Sequence, residues 1–200
     1  MRILVIGATG TIGREVVRAL SNDGDEVVEV SHSSTPITVD IADVASIRAM
    51  YEAVGPVDAV ISAAGRTARR KPLSELTDDD FALSIRHKLM GQVNVIRYGF
   101  EHVRDGGSFT VTSGVLGREP MPGSETISLV NCALEGFVRA AALEAPRGIR
   151  LNVVSPPWIT ETLLALNMQN VPGLPASVVA RTYVRAVREQ VTGSVFEPEI

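Results

Sequence analysis

Three glycines spaced by three, Gly7, Gly10 and Gly13, follow directly on the apolar run at residues 3–6 and open the helix-patterned stretch TIGREVVRAL. A strand that ends at the first glycine and a helix that begins near the second would bring main chain within reach of a pyrophosphate. The first glycine allows a tight turn, the second a close approach of backbone to phosphate, and the third close packing of helix on strand. The helix N-terminus would then offer free N–H groups and the positive end of its dipole to the anion. Gly7, Thr9, Gly10, Thr11, Ile12 and Gly13 are therefore candidate dinucleotide-binding residues, with the strand-loop-helix context giving the glycine pattern its weight.

The end of the next strand bears on which dinucleotide is held. A carboxylate about 20 residues after the loop would take the ribose hydroxyls of NAD. Here the strand runs out in VEVSHSS, with no acid after Val30. Ser31, His32, Ser33 and Ser34 offer an imidazole and hydroxyls that tolerate a 2′-phosphate better than a carboxylate would. NADP is expected over NAD, although Glu29, if turned inward, would still reach the ribose. No metal site is readable: His32, His87 and His102 are scattered, and the single cysteine, Cys132, allows neither a disulfide nor a thiolate cluster. Cys132 sits in an apolar helical pattern and reads as a small core residue.

These residues need a scaffold, and the chain alternates strand and helix patterns as an α/β protein does. Val- and Ile-rich strands are predicted at 2–6, 26–30, 59–62, 109–112 and 151–154, and helices at 12–20, 44–53, 78–103, 125–144 and 177–189. The alternation predicts a Rossmann-type, doubly wound, mainly parallel sheet with helices on both faces. The third helix opens on LTDDDF, where Thr77 caps and Asp80 completes a capping box. Between Val30 and Asp40 the chain is too short for a crossover helix, so SHSSTPITVD predicts a shortened second crossover at the sheet edge. RTARRKP, residues 66–72, reads as a solvated basic turn.

Two hundred residues with 45% hydrophobic side chains suit one domain spanning 1–200. A net charge of −4 gives no general attraction to nucleic acid or an anionic membrane surface. No apolar run is long enough to cross a bilayer, and Met1-Arg2 leads straight into the first strand, so the expected location is cytoplasmic.

Four further segments, in order, resemble those of the short-chain dehydrogenase/reductase superfamily, and the resemblance covers almost the whole chain. VDI at 39–41 resembles the adenine-contacting segment, with Asp40 accepting from the adenine amino group and Ile41 beside it. ISAAG at 61–65 is similar to the turn beside the cofactor ribose, which implies roles for Ala63, Ala64 and Gly65. TVTSG at 110–114 resembles the strand end that presents a catalytic serine, here Ser113. LNVVSPPW at 151–158 resembles the segment over the nicotinamide, implicating Pro156 and Ile159, with Pro157 in place of the usual glycine.

The resemblance fails at the catalytic helix. Matching ALEGF to the superfamily's small-residue run puts Ile127 where a tyrosine belongs and Asn131 where a lysine belongs. Carbonyl reduction needs a proton donor as hydride arrives, and isoleucine has none to give. Ile127 instead reads as a packed residue on a stripe with Val130, Leu134, Phe137 and Ala141. Lys88, preceding MGQ, aligns with the superfamily's active-site asparagine, and a desolvated lysine there would act as acid or anion anchor. The resemblance thus implies an NADP(H)-dependent oxidoreductase acting on a carbonyl or alcohol, with Ser113 orienting the substrate and Lys88 or water supplying the proton. The alternative is a catalytically silent dinucleotide-binding regulatory or scaffold protein. GREPMPGSE at 117–125 and TETLLALNMQNVPGLP at 160–175 are expected to flank the cleft, the second and Trp158 hinting at an apolar small-molecule substrate. The long helices predict a homodimer or homotetramer.

Overall fold

The computed structural model describes every residue except Arg66, Ala68, Gln169 and Ile200. A seven-stranded, wholly parallel sheet runs in the order β3-β2-β1-β4-β5-β6-β7. Its strands are β1 (Arg2–Ile6), β2 (Glu26–Ser31), β3 (Ile37–Thr38), β4 (Val57–Ser62), β5 (Val103–Thr112), β6 (Arg150–Val154) and β7 (Val195–Phe196). The helices are α1 (Thr11–Asn22), α2 (Val44–Val54), α3 (Asp78–Ser84), α4 (Gly91–Gly99), α5 (Glu125–Ala141), α6 (Thr160–Ala165) and α7 (Ala176–Arg188).

Alternation along buried strands explains the double winding. Ile3 and Val5 of β1 enter one core with Val16 and Leu20 of α1 and Val179 and Tyr183 of α7. Leu4 and Ile6 enter the other, with Ile47 and Met50 of α2, Val95 and Ile96 of α4, and Val138 of α5. Because successive strand side chains point to opposite faces, a strand apolar at every position must be covered on both.

The shortened second crossover is present: β3 pairs beside β2 with no helix between them, and Thr35 closes the turn by accepting from the Ser31 N–H and donating to the Ile37 carbonyl. The helix expected over 78–103 is different. It divides into α3, a π-helical turn at Ile85–Met90, α4 and a 3₁₀ turn at Phe100–His102, and Val103 already belongs to β5. The Gly106-Gly107 pair lies within β5, where the strand passes a register shift against β4. A side chain at Gly107 would stand 2.5 Å from the Asp58 carbonyl oxygen. The short α6 and β7 were not predicted. At the start of α3, Asp80 accepts from the Thr77 N–H and also pairs with Lys71 at 2.6 Å; the Lys71 hydrogen bond and that of the Thr77 backbone lower its carboxyl to about 2. The basic loop is solvated at Arg69 and Arg70, both exposed, and is tied down by Lys71 on Asp80 and by Arg70 donating to the Pro122 carbonyl, while Arg66 and Ala68 lie outside the described residues. Among the described residues no helix is long and apolar enough to cross a membrane.

Candidate active site

Two adjoining cavities open at the carboxyl ends of the strands, where sheets of this kind bind ligands. The first, about 500 Å³, runs from the glycine loop to the ends of β2 and β3. Gly7 adopts φ +85°, and a side chain there would stand 2.9 Å from the Ala63 carbonyl group; one at Gly13 would stand 2.0 Å from the Gly7 oxygen. Both glycines are demanded by the packing of the loop itself. Gly10 differs, since a Cβ there meets only the Gly7 oxygen, at 3.3 Å. Its missing side chain leaves room at the N-terminus of α1, which has no side-chain cap and no acidic residue in its first turn. An open loop above an uncapped helix end fits a pyrophosphate.

Gly7, Thr9, Gly10, His32, Asp40, Ile41, Ala63, Ala64 and Gly65 line this cavity. Thr11 is exposed at the first position of α1, and Gly13 is buried in packing. Ser33 and Ser34 are exposed and off the wall, while Ser31 stands on it, its hydroxyl accepting from the Ser34 N–H. Glu29 is exposed and also off the wall. The sequence reading missed His87, carried onto the wall by the π-helical turn. Asp40 accepts from the Ala42 N–H at 2.9 Å.

The second cavity, about 370 Å³, brings together Ile12, Ala63–Gly65, Lys88, Ser113, Ile127, Asn131, Pro156 and Trp158. Ile159 is absent from it; its side chain belongs to the core beneath. Lys88 rides on the same π-helical turn as His87, a local widening often found at functional sites. Its stem lies over Gly65, where a Cβ would stand 2.6 Å from Lys88 Cδ, and its Nζ donates to the Ser113 carbonyl at 3.2 Å. Burial lowers the ammonium from 10.5 to about 8.

Ser113 is 4% exposed, and its hydroxyl donates to Glu135 Oε1 at 3.0 Å. A carboxylate only accepts, so the Ser113 hydrogen turns to Glu135, with the Val154 carbonyl at 3.4 Å as a second acceptor, and its lone pairs are what remain for the cleft. Glu135 is itself buried, with guanidinium nitrogens of Arg118 and Arg139 at 3.7 and 3.8 Å. Ile127, Asn131 and Glu135 follow at intervals of four, so α5 presents them on one face. That spacing could have revealed Glu135 as a carboxylate on the face of the missing tyrosine and lysine. Asn131 donates to the Gly114 carbonyl, and its buried Oδ1 has no partner among the described residues. An acceptor left open in this way fits a hydroxyl of a bound nucleotide ribose.

Two expectations need correction. Ile127 lies in neither core cluster and faces the cleft, because α5 turns the 127–131–135 face toward the ends of β5 and β6. Cys132 is exposed and its thiol donates to the Gly117 carbonyl, being one position round the helix from the buried face.

A family model described as enoyl-(acyl carrier protein) reductase matches residues 7–192. The chain belongs to the short-chain dehydrogenase/reductase superfamily. Within it, the chain is 28% identical over 155 residues to a hydroxynaphthalene reductase of Aspergillus fumigatus, covering 75% of this chain and 54% of that protein. It is 29% identical over 193 residues to an acetoacetyl-CoA reductase of Allochromatium vinosum, covering 84% and 78%. The chain thus spans little more than half the length of the fungal relative. Among solved structures, the protein lin1944 of Listeria innocua superposes with a TM-score of 0.95 at 38% identity over the whole of both chains. A small-chain dehydrogenase in complex with NADPH superposes at 0.88 with 25% identity, covering 98% of this chain and 95% of that one.

Proposed function

We propose that this superfamily member is an NADP(H)-dependent oxidoreductase that interconverts an apolar carbonyl compound and its alcohol, with Lys88 as the proton donor. The observation that carries the reading is the position of Lys88, half-buried on the wall of the cleft that also holds Ser113, where desolvation lowers its ammonium to about 8. A general acid works best with a pKa near the operating pH. Lys88 is still charged at neutrality yet gives up its proton far more readily than a solvated lysine.

The glycine loop and the uncapped end of α1 would hold the pyrophosphate, and Asn131 Oδ1 a ribose hydroxyl. His32 and His87 line the same cavity and would pair with a 2′-phosphate, and the exposed position of Glu29 off its wall supports NADP over NAD. Pro156, on the wall of the cleft, would lie against the nicotinamide, which when bound would supply or take the hydride at the substrate carbon. Lys88 Nζ donates its proton to the substrate oxygen as that carbon is reduced, becomes a neutral amine, and is recharged from solvent; in oxidation the amine takes the alcohol proton. Ser113 receives a hydrogen bond from the alcohol form rather than giving one to the ketone.

A second reading, a nicotinamide-binding regulatory or scaffold protein without turnover, is favoured by Ile127, which turns an apolar side chain to the cleft. A screen of carbonyl compounds, following loss of reduced-nicotinamide absorbance, separates the two: turnover is expected, and its absence across the panel with cofactor bound would establish the second. Calorimetric titration is expected to give tighter binding of NADPH than NADH, and equal or reversed affinities would refute the NADP preference. We also propose a homodimer or homotetramer, since Ile85 and Leu129 are left exposed on the π-helical turn and α5; a monomer mass by light scattering at micromolar concentration would reject it.

A further inference from the structure

A third cavity, about 600 Å³, lies beyond the reaction cleft and shares with it Val115, Pro157 and Trp158. The remaining walls come from the loops after β5 and β7 and from the segment leading into α7. Nothing in the reaction described above uses this space. We propose that it is a second substrate compartment, taking the far end of an uncharged carbonyl compound whose ring system or chain extends past Trp158 and ends in one hydrogen-bonding group.

Three observations carry this. The first is adjacency: Trp158, Pro157 and Val115 line both spaces, so only these side chains separate a molecule with its carbonyl near Lys88 from the larger one. A compartment of this size matches the range of small-molecule sites, about 300–1,000 Å³.

The second is that the wall is built rather than loose. Leu174 donates its N–H to the Trp158 carbonyl and accepts from the Thr160 N–H, both at 2.9 Å. Gly173 packs so closely that a Cβ would stand 3.0 Å from the Trp158 oxygen and 2.7 Å from Leu163 Cδ1. At the head of α7, the Glu161 carboxylate accepts from the Ala176 N–H. Leu174 is thus held beside Trp158, and with Val171 and Pro172 it gives this part of the wall a largely apolar surface.

The third is polarity. Arg118 is the one cation among the described lining residues, and it is engaged by Glu197 and by Glu135. With Glu119 also on the wall, carboxylates outnumber cations there, and an anionic group would enter against an unfavourable field. Ser155 adds a hydroxyl that is buried without a hydrogen-bond partner among the described residues. Buried polar atoms are ordinarily paired, so a hydroxyl or carbonyl at the ligand's far end would satisfy it. The ligand class that fits is neutral, apolar and bicyclic or longer, rather than a short keto acid or an acyl thioester of an anionic carrier.

This inference deepens the oxidoreductase reading and uses its cleft, so its test reads binding separately from turnover. Trp158 is the sole tryptophan, and its fluorescence reports both compartments. The full chain, loaded with NADPH, is titrated with 2-tetralone, cyclohexanone and acetoacetyl-CoA while turnover is followed in parallel. The bicyclic ketone is expected to bind at least about tenfold more tightly than cyclohexanone, since each added buried methylene is worth about 0.8 kcal/mol. It should also bind more tightly than the anionic thioester. Val171→Phe, which narrows the compartment, should remove most of the bicyclic advantage and leave cyclohexanone affinity unchanged, and Ser155→Ala should weaken only ligands with a polar far end, such as 6-hydroxy-2-tetralone. Equal affinities for the two ketones, a preference for the thioester, or an advantage undiminished by Val171→Phe would each overturn the compartment. Binding with this pattern but no turnover would retain the compartment and refute hydride transfer; turnover indifferent to ligand size would do the reverse.

Discussion

The two halves of the cleft are built on different principles. In the cofactor half, the contacts that matter belong to the backbone: positive φ at Gly7, the 2.0 Å approach that excludes a side chain at Gly13, and the uncapped end of α1. In the reaction half, they belong to side chains projected from separate elements, with Lys88 from a π-helical turn, Ser113 from the end of β5, and Ile127, Asn131 and Glu135 from α5. A backbone site tolerates little change because the fold itself fails with it. A side-chain site can lose its usual acid and keep its shape, as the apolar wall at Ile127 illustrates. Fold and chemistry are separable in this chain for that reason.

The sharpest way to break the comparison is at Lys88. Lys88→Met is expected to reduce turnover by about 10² to 10⁴, the usual loss on removing a general acid, while NADPH affinity stays unchanged because the phosphates are held elsewhere. In the unaltered protein, ketone reduction should fall as pH rises through about 8, since the ammonium is then discharged, and alcohol oxidation should rise over the same range. Turnover that survives the substitution would remove Lys88 from the mechanism. The same variant reports on stability. Lys88 titrates near 10.5 when solvated and near 8 when folded, so between these values the unfolded chain holds the extra proton and stability rises with pH. At neutral pH the full penalty applies, and Lys88→Met should stabilise the protein by about 1 to 3 kcal/mol, discounted for the partial exposure of the side chain. The gain should shrink above pH 8 and vanish past 10.5. A melting series across pH that showed no such convergence would contradict the burial assigned to the ammonium.

The corresponding change in the cofactor half is Gly10→Val. Its Cβ meets only the Gly7 oxygen, at 3.3 Å, and φ is −73°, so the fold should accept the side chain while the phosphate does not. Cofactor affinity is expected to fall about 10- to 100-fold, the equivalent of one charge-assisted hydrogen bond lost, with a melting temperature close to that of the parent. Gly13→Ala should instead lower the melting temperature, because its Cβ would collide with the Gly7 backbone. Calorimetry and thermal melts on the pair check both. A Gly10→Val protein that binds NADPH normally would show that the pyrophosphate does not lie over this loop.

The same division decided how much could be read from sequence. The cofactor half was largely legible because strand, glycine loop and helix follow one another within Arg2–Asn22, and local spacing encodes local geometry. The parallel sheet and its short edge were legible from strand composition and the length of the link. The reaction half depends on residues far apart in the chain. Lys88 and Ser113 were nameable only by alignment to a related pattern, and the π-helical turn that aims Lys88 and His87 leaves no periodic signature over six residues. The helix expected over 78–103 ran past its true end because Val103 continues the apolar stripe, although its partner is Val57 across the sheet. Ile127 was misread because helical periodicity reports which face is apolar and not what that face meets. Cys132, one residue round from the buried Asn131, was misread on the same ground.

The smallest expected effect lies at Glu135, and it tests whether the reaction half is ordered by hydrogen-bond polarity. Ser113 Oγ is 3.0 Å from Glu135 Oε1, and a carboxylate there fixes the hydroxyl so that its lone pairs face the cleft. Glutamine has nearly the same shape but can turn its amide to donate, which would release the Ser113 hydrogen toward the substrate. Glu135→Gln should therefore strengthen binding of the ketone relative to the alcohol by about threefold to tenfold, the worth of one hydrogen bond exchanged for another of opposite sense. Ser113→Ala should bring the two ligands toward parity. Dissociation constants measured through Trp158 fluorescence are the appropriate readout, because the ratio of forward to reverse kcat/KM is tied to the reaction equilibrium and cannot move. If the alcohol-to-ketone ratio is the same in the parent, Glu135→Gln and Ser113→Ala, then Glu135 only neutralises Arg118 and Arg139, and the orientation of Ser113 has no bearing on which form the cleft prefers.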